Sequence, residues 1–162
     1  MAHVRVLALG AFSLVVGCRR AEPPPPEATA ASAAPLDTTK PAAPASEFHE
    51  DTFDLALRPV GSYSAGKPGS AEIVLVPKGG YHTNDKYPYK FKTATPSGVA
   101  FRAPVFTKDD VTLDEKRATM KLDFTPDSVG EKTVAGQFAF SVCSAEKCLV
   151  EKRDLTLKLA VN

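Results

Sequence analysis

The chain has 162 residues, with 20 Lys and Arg against 19 Asp and Glu, a formal net charge of +1, and three cysteines. Charge that nearly cancels, with no basic block or stripe, excludes nucleic acid as a natural partner. Once the N-terminal segments are set aside, the remaining length allows one domain with a full apolar core and is too short for two.

Residues 1–17 read as an export signal. A single basic residue, Arg5, precedes an apolar run ending at Gly17, and Val15-Val16-Gly17-Cys18 resembles a bacterial lipobox, with a small residue before the cysteine. The run is too short to cross a bilayer as a helix, and its basic start and small residue at the cut mark a cleaved leader. Cys18 is then the lipidated N-terminus. Each buried methylene adds about 0.8 kcal/mol, so a multi-chain anchor attaches the protein durably to a membrane it does not cross. Arg19 follows the cysteine where inner-membrane lipoproteins carry Asp, which points to the outer membrane, facing the periplasm. Residues 18–47 form a Pro/Ala-rich tether, with Pro23-Pro24-Pro25-Pro26 and later Pro35, Pro41 and Pro44. Almost devoid of large apolar side chains, this segment cannot offset its ordering entropy and is expected to be disordered. Its prolines favour an extended chain of about 3 Å per residue.

Residues 48–162 carry the folded domain, and their dominant signal is period two. Phe53, Leu55 and Leu57 alternate with polar or small neighbours, and Ile73 to Val76, Tyr89 to Thr93 and Val99 to Phe101 follow as short strands. Ala118, Met120, Leu122 and Phe124 form a second long series, Val134 to Val142 a third, and Leu155, Leu157, Leu159 and Val161 a fourth. Turn residues punctuate them at Gly61, Gly66-Lys67-Pro68-Gly69, Gly79-Gly80, Pro96-Ser97-Gly98 and Asp127-Ser128-Val129-Gly130. Asp109 to Arg117 has room for a turn or two of helix. About seven short strands at this spacing predict an all-β, immunoglobulin-like antiparallel β-sandwich, with a partly open barrel as the rival architecture.

With Cys18 assigned to the anchor, Cys143 and Cys148 remain as one pair, in an oxidising compartment outside the cytoplasm. The core residues of the third series are even-numbered and those of the fourth odd-numbered, so Cys143 and Cys148 both fall on the outward parity. A bulge near Glu151 to Asp154 would reset the second count. Opposed Cα atoms of hairpin neighbours lie about 4.5 or 5.5 Å apart, within reach of a disulfide. Two readings stay open: a structural staple on a hairpin, or a reactive pair.

Gly136 to Cys143, then Cys148 and a terminal strand, with Gly80-Tyr81 after an earlier apolar strand, is similar to the N-terminal periplasmic domain of the thiol:disulfide interchange protein DsbD family. The spacing between the cysteines is one residue shorter than the family's, and Phe101 to Asp114 has no match to its aromatic cap loop. The resemblance implies an immunoglobulin-like fold, with Cys143 and Cys148 as the catalytic positions of a thiol–disulfide exchange partner. It needs no cofactor, and its partner would be another envelope protein. The alternative is a binding or structural accessory lipoprotein of an envelope assembly, whose cysteines form an inert bridge.

Among other candidates, His82 and Asp85 lie in the dense polar and aromatic stretch Tyr81 to Tyr89 and are the nearest approach to a metal site. Such sites need three or four ligands, and a capped turn with packed tyrosines, or a protein-binding patch, accounts for the same residues. Asp109-Asp110 and Asp114-Glu115, mixed with Lys108, Lys116 and Arg117, read as a solvated face. Ser141 and Ser144 have no nearby histidine in sequence to support a hydrolase. No Gly-rich phosphate loop opens a helix, which speaks against nucleotide binding.

Overall fold

The computed structural model describes residues 44–95 and 98–162. The expected leader, Cys18 and most of the tether, with Pro96 and Ser97 of one turn, lie outside the described residues. The strands are β1 (Glu47–His49), β2 (Phe53–Val60), β3 (Gly69–Pro77), β4 (His82–Thr83), β5 (Lys90–Thr93), β6 (Val99–Phe101), β7 (Val105–Phe106), β8 (Val111–Asp114), β9 (Arg117–Pro126), β10 (Gly130–Cys143) and β11 (Cys148–Val161).

These strands make two antiparallel sheets packed face to face, an immunoglobulin-like sandwich and not a barrel. One sheet runs β1-β2-β3-β9-β6, with β8 on the same edge of β9 as β6; the other runs β11-β10-β5-β7, with β4 pairing the end of β10. The alternating apolar series fill the space between them: Phe53, Leu55 and Leu57 from β2, Ile73 and Leu75 from β3, Met120 and Leu122 from β9, and Phe138, Phe140 and Val142 from β10 are all buried. Phe53 and Phe140 meet edge to face across the two sheets, with ring centroids 5.0 Å apart, the geometry that aromatic quadrupoles favour.

The long series predict their strands well, with boundaries that spread outward. Gly69 and Gly130 open β3 and β9's successor β10, although both read as turn residues in the sequence. The expected helical stretch after Lys108 is a single 3-10 turn, Lys108–Asp110, and β8 follows it at once to pair with β9. Alternating Val111, Thr112, Leu113 and Asp114 are too few for a period to stand out.

The N-terminal segment crosses from one sheet to the other. Ala45 makes a parallel bridge to Leu155 of β11, its N–H donating to Asp154 O (3.3 Å) while its carbonyl accepts from Thr156 N (3.0 Å). Two residues later β1 pairs antiparallel with β2 in the opposite sheet. At the far end of β11, Tyr63 bridges Val161 and its carbonyl accepts from Asn162 N (2.9 Å). Two stretches of the β11 edge are thereby covered.

Gly136 sits on the inner face of β10 opposite Leu155. A Cβ there would lie 2.4 Å from the Lys92 carbonyl oxygen and 2.4 Å from the Phe91 ring. A glycine in a strand interior often marks such a close approach. Because the obstacle is backbone, Gly136→Ala is expected to lower stability by about 1–3 kcal/mol in urea denaturation; an unchanged midpoint would show that β5 yields freely.

Candidate functional site

The site grows out of one unbroken hairpin. The β10·β11 register runs without interruption from Gly130↔Val161 to Cys143↔Cys148, so no bulge resets the side-chain alternation. Directly opposed residues share a face, and Cys143 and Cys148 both lie on the outward one, as parity predicts. Their sulfurs are bonded at 2.03 Å, with Cα atoms 4.0 Å apart. The turn beyond them is held by Ser144: its N–H donates to Lys147 O (2.8 Å), and its hydroxyl accepts from the N–H groups of Glu146 (3.2 Å) and Lys147 (3.3 Å). Such hydroxyl-to-backbone bonds are the reason serine suits tight turns.

Facing outward does not mean equal exposure. Cys143 is 6% exposed and Cys148 is open to solvent. The cause is position in the sheet. Cys143 lies on an interior strand, flanked by His82 of β4 on one side and Cys148 on the other, whereas Cys148 lies on the edge strand. Both cysteines take the outward parity expected of them, but one sulfur is open and the other covered. Neither belongs to the apolar core cluster between the sheets.

The register also brings His82 opposite Cys143, a neighbour that local sequence does not reveal because β4 is only two residues long. His82 and Asp85 line an open cleft of about 400 Å³ with Thr83, Asn84, Leu113, Asp114 and Glu115. Among the described residues no group of three or more His, Cys, Asp or Glu is placed to hold a metal ion. The tyrosine stretch packs instead: Tyr89 is buried against Phe138 with centroids 6.3 Å apart, and Tyr87 meets Tyr89 edge to face. The Tyr89 hydroxyl accepts from Asn84 N (3.3 Å) and donates to Ser141 O (3.4 Å), joining the 84–89 loop to the strand that carries Cys143. Ser141 itself is fully buried on the cysteine face, and its Oγ has no hydrogen-bond partner among the described residues.

Of the paired carboxylates, Asp109 and Glu115 are exposed, whereas Asp110 and Asp114 hold turns. Asp110 caps the 3-10 turn, its Oδ2 accepting from Thr107 N (2.9 Å) while its other oxygen pairs with Arg102. Asp114 closes the β8–β9 turn by accepting from Lys116 N (2.8 Å).

Beneath the hairpin, odd-numbered residues of β11 face inward, and these include two charges. Arg153 lies opposite Phe138 on the inner face, with its guanidinium over the rings of Phe48 (5.8 Å) and Phe53 (5.5 Å). It bonds Glu151 at 2.6 Å and reaches Glu50 at 3.5 Å. An arginine only 11% exposed needs such partners, since desolvating a lone charge is costly. Sequence periodicity stops at Leu155 because these charges interrupt the apolar series; the strand continues for seven residues before it, to Cys148.

Burial holds the Tyr89 phenol above its ordinary range, with the backbone bond from Asn84 opposing, and does the same for Tyr63. Free phenols ionise near pH 10. Above that pH the unfolded chain loses these protons first, so stability present below it is expected to fall as pH rises through the folded phenols' range. Tyr89→Phe should flatten that alkaline loss in denaturation curves; an identical alkaline limb would show that Tyr89 is reached by solvent. After reduction, Cys148 is expected to alkylate with iodoacetamide about tenfold faster than Cys143, as exposure governs thiol reactivity; equal rates by peptide mapping would contradict the edge-versus-interior asymmetry.

No family model matches this chain, and no curated protein matches it. Among solved structures it is similar to the crystal structure of BslA, a bacterial hydrophobin, at 13% identity and a TM-score of 0.34, covering 68% of this chain and 95% of that one. It is also similar to the ASH/PapD-like domain of human CEP192, at 9% identity and a TM-score of 0.32, covering 69% of this chain and 87% of that one. Likenesses this remote carry nothing about what the chain does.

Proposed function

We propose that this chain is a lipid-anchored envelope protein whose sandwich domain exchanges disulfides with another envelope protein through Cys143 and Cys148. The observation that carries the reading is the asymmetry of the bridge: Cys148 is exposed on an edge strand, and Cys143 stands covered behind it. That arrangement suits a two-step exchange. A partner thiolate attacks Cys148 Sγ; the Cys143–Cys148 bond breaks, a partner–Cys148 disulfide forms, and the electron pair leaves on Cys143 as thiolate. A second partner thiolate then attacks the partner's own sulfur in the mixed disulfide. This releases reduced Cys148 and leaves the partner with an intramolecular disulfide. The reverse sequence passes two electrons the other way.

Energetics support the same reading. A bridge closing so short a loop removes only about 2 kcal/mol of unfolded-chain entropy, while Phe53, Phe91, Phe106, Phe138 and Phe140 alone give the core a large fully buried area. The fold has little need of the bond. The hairpin's similarity to the DsbD N-terminal domain points in the same direction, and the lipobox-like Cys18 with its proline-rich tether supplies an anchor and reach on the outer membrane. One observation favours the rival reading, an inert staple in a structural accessory lipoprotein: Cys143 is 6% exposed.

Titration of the pair against a dithiol buffer separates them. A potential above about −300 mV is expected for an exchanging pair, and one far below marks a structural bond. The double variant Cys143→Ser, Cys148→Ser is expected to lose exchange while keeping its β-sheet spectrum, at a stability cost of about 2 kcal/mol; unfolding of that variant would identify the bridge as a staple.

A further inference from the structure

Among the described residues, the β11 edge is unpaired along the stretch that carries Cys148. Further along, the strand is bridged by Ala45 at Leu155 and by Tyr63 at Val161. Toward the turn, the stretch Cys148 to Lys152 has no strand on its outer side among the described residues. Backbone groups alternate sides along an antiparallel strand. Asp154 O and Thr156 N point to the outer side, where they bond Ala45. Val150 and Lys152 share that alternation, so they present their main-chain groups to the same side. The Lys152 carbonyl accepts from Arg153 Nη1 (3.0 Å), which leaves the Val150 N–H and carbonyl and the Lys152 N–H as the template. The Val150 side chain is 61% exposed beside them.

Three lysines stand near this window. Lys90, Ala139 and Lys152 form one row across β5, β10 and β11 on the face shared with the disulfide, and Lys147 stands at the turn. None of the three ammonium groups is in an ion pair among the described residues. The carboxylate within the window, Glu151, is turned inward to Arg153, leaving Glu146 at the turn and Asp154, beyond Lys152 on the same face and accepting from Gln137 Nε2 (3.1 Å), as the nearby negative charges. Edge lysines oppose pairing between like edges, so a second copy would meet its own charge. The chain's own preceding segment is also a poor occupant: continuing the parallel register of Ala45 would set Pro41 against the Val150 carbonyl, and proline has no N–H to give.

We infer that Cys148 to Lys152 docks an extended, acidic, cysteine-bearing segment of a partner protein, which adds as a strand to the β11 edge beside the exposed sulfur. The inference rests on the exchange reading above and names the partner's chemistry. Main-chain bonds to Val150 and Lys152 would hold the segment, as in other strand additions, and Lys90, Lys147 and Lys152 would select its charge.

The test uses the full oxidised chain in detergent and three synthetic peptides of about seven residues with one central cysteine. These are flanked by aspartates, by lysines, or by aspartates with alternate backbone nitrogens methylated. Glutathione serves as the small thiol, and mixed-disulfide formation at Cys148 is followed by mass spectrometry. The acidic peptide is expected to react about tenfold faster than either other peptide, and Lys90→Glu with Lys152→Glu should erase its advantage over the lysine peptide. If glutathione opens the bridge and the three peptides react alike, the docking inference is overturned and exchange stands. If no thiol opens it, glutathione included, exchange itself fails and takes the inference with it. Faster peptide reaction after deletion of residues 19–43, or concentration-dependent dimerisation, would assign the edge to the chain itself or to a second copy, and would equally overturn it.

Discussion

The continuous pairing of β10 with β11 determines most of what the domain displays. Because every residue from Gly130 to Cys143 has a fixed opposite number, a single shift of register would turn all the side chains of one strand to the wrong face. Phe138, Phe140 and Val142 would leave the core together, and the two cysteines would no longer meet. The hairpin is therefore at once the floor of the core and the frame of the site.

Arg153 is where this constraint meets its greatest cost. The alternation forces position 153 inward, opposite Phe138, into a region where an unpaired charge is costly. The conflict is relieved by stacking on Phe48 and Phe53 and by ion pairs to Glu151 and Glu50. Since Phe48 and Glu50 belong to or follow β1, and Phe53 begins β2, the guanidinium also ties the cysteine-bearing edge of one sheet to the N-terminal edge of the other. The crossing of the chain at Ala45 closes the same side of the sandwich.

Much of the fold was legible because strand alternation is local. Phe53 to Leu57, Ala118 to Phe124 and Val134 to Val142 read as half-buried strands, and they are. Of the short elements, β5 and β6 were also read, but β1, β4 and β7 were not, since two or three residues contain no period to detect. Arg153 and Glu151 hid the first half of β11 by breaking the apolar series. At the site, the pairing of Cys143 with Cys148 and the outward parity of both followed from spacing. His82 drew notice as a weak metal candidate, yet its place beside Cys143 had no sequence signal, and Val150 stood out for nothing.

The amino-acid order alone determined the all-β class and the face on which Cys143 and Cys148 stand, because each depends on composition or on a two-residue repeat. Tertiary structure decided which cysteine meets solvent, how an inward arginine is neutralised, and where β11 is left unpaired. These depend on which strand lies beside which, and that choice is made by contacts between residues far apart in the chain, where no local period carries information.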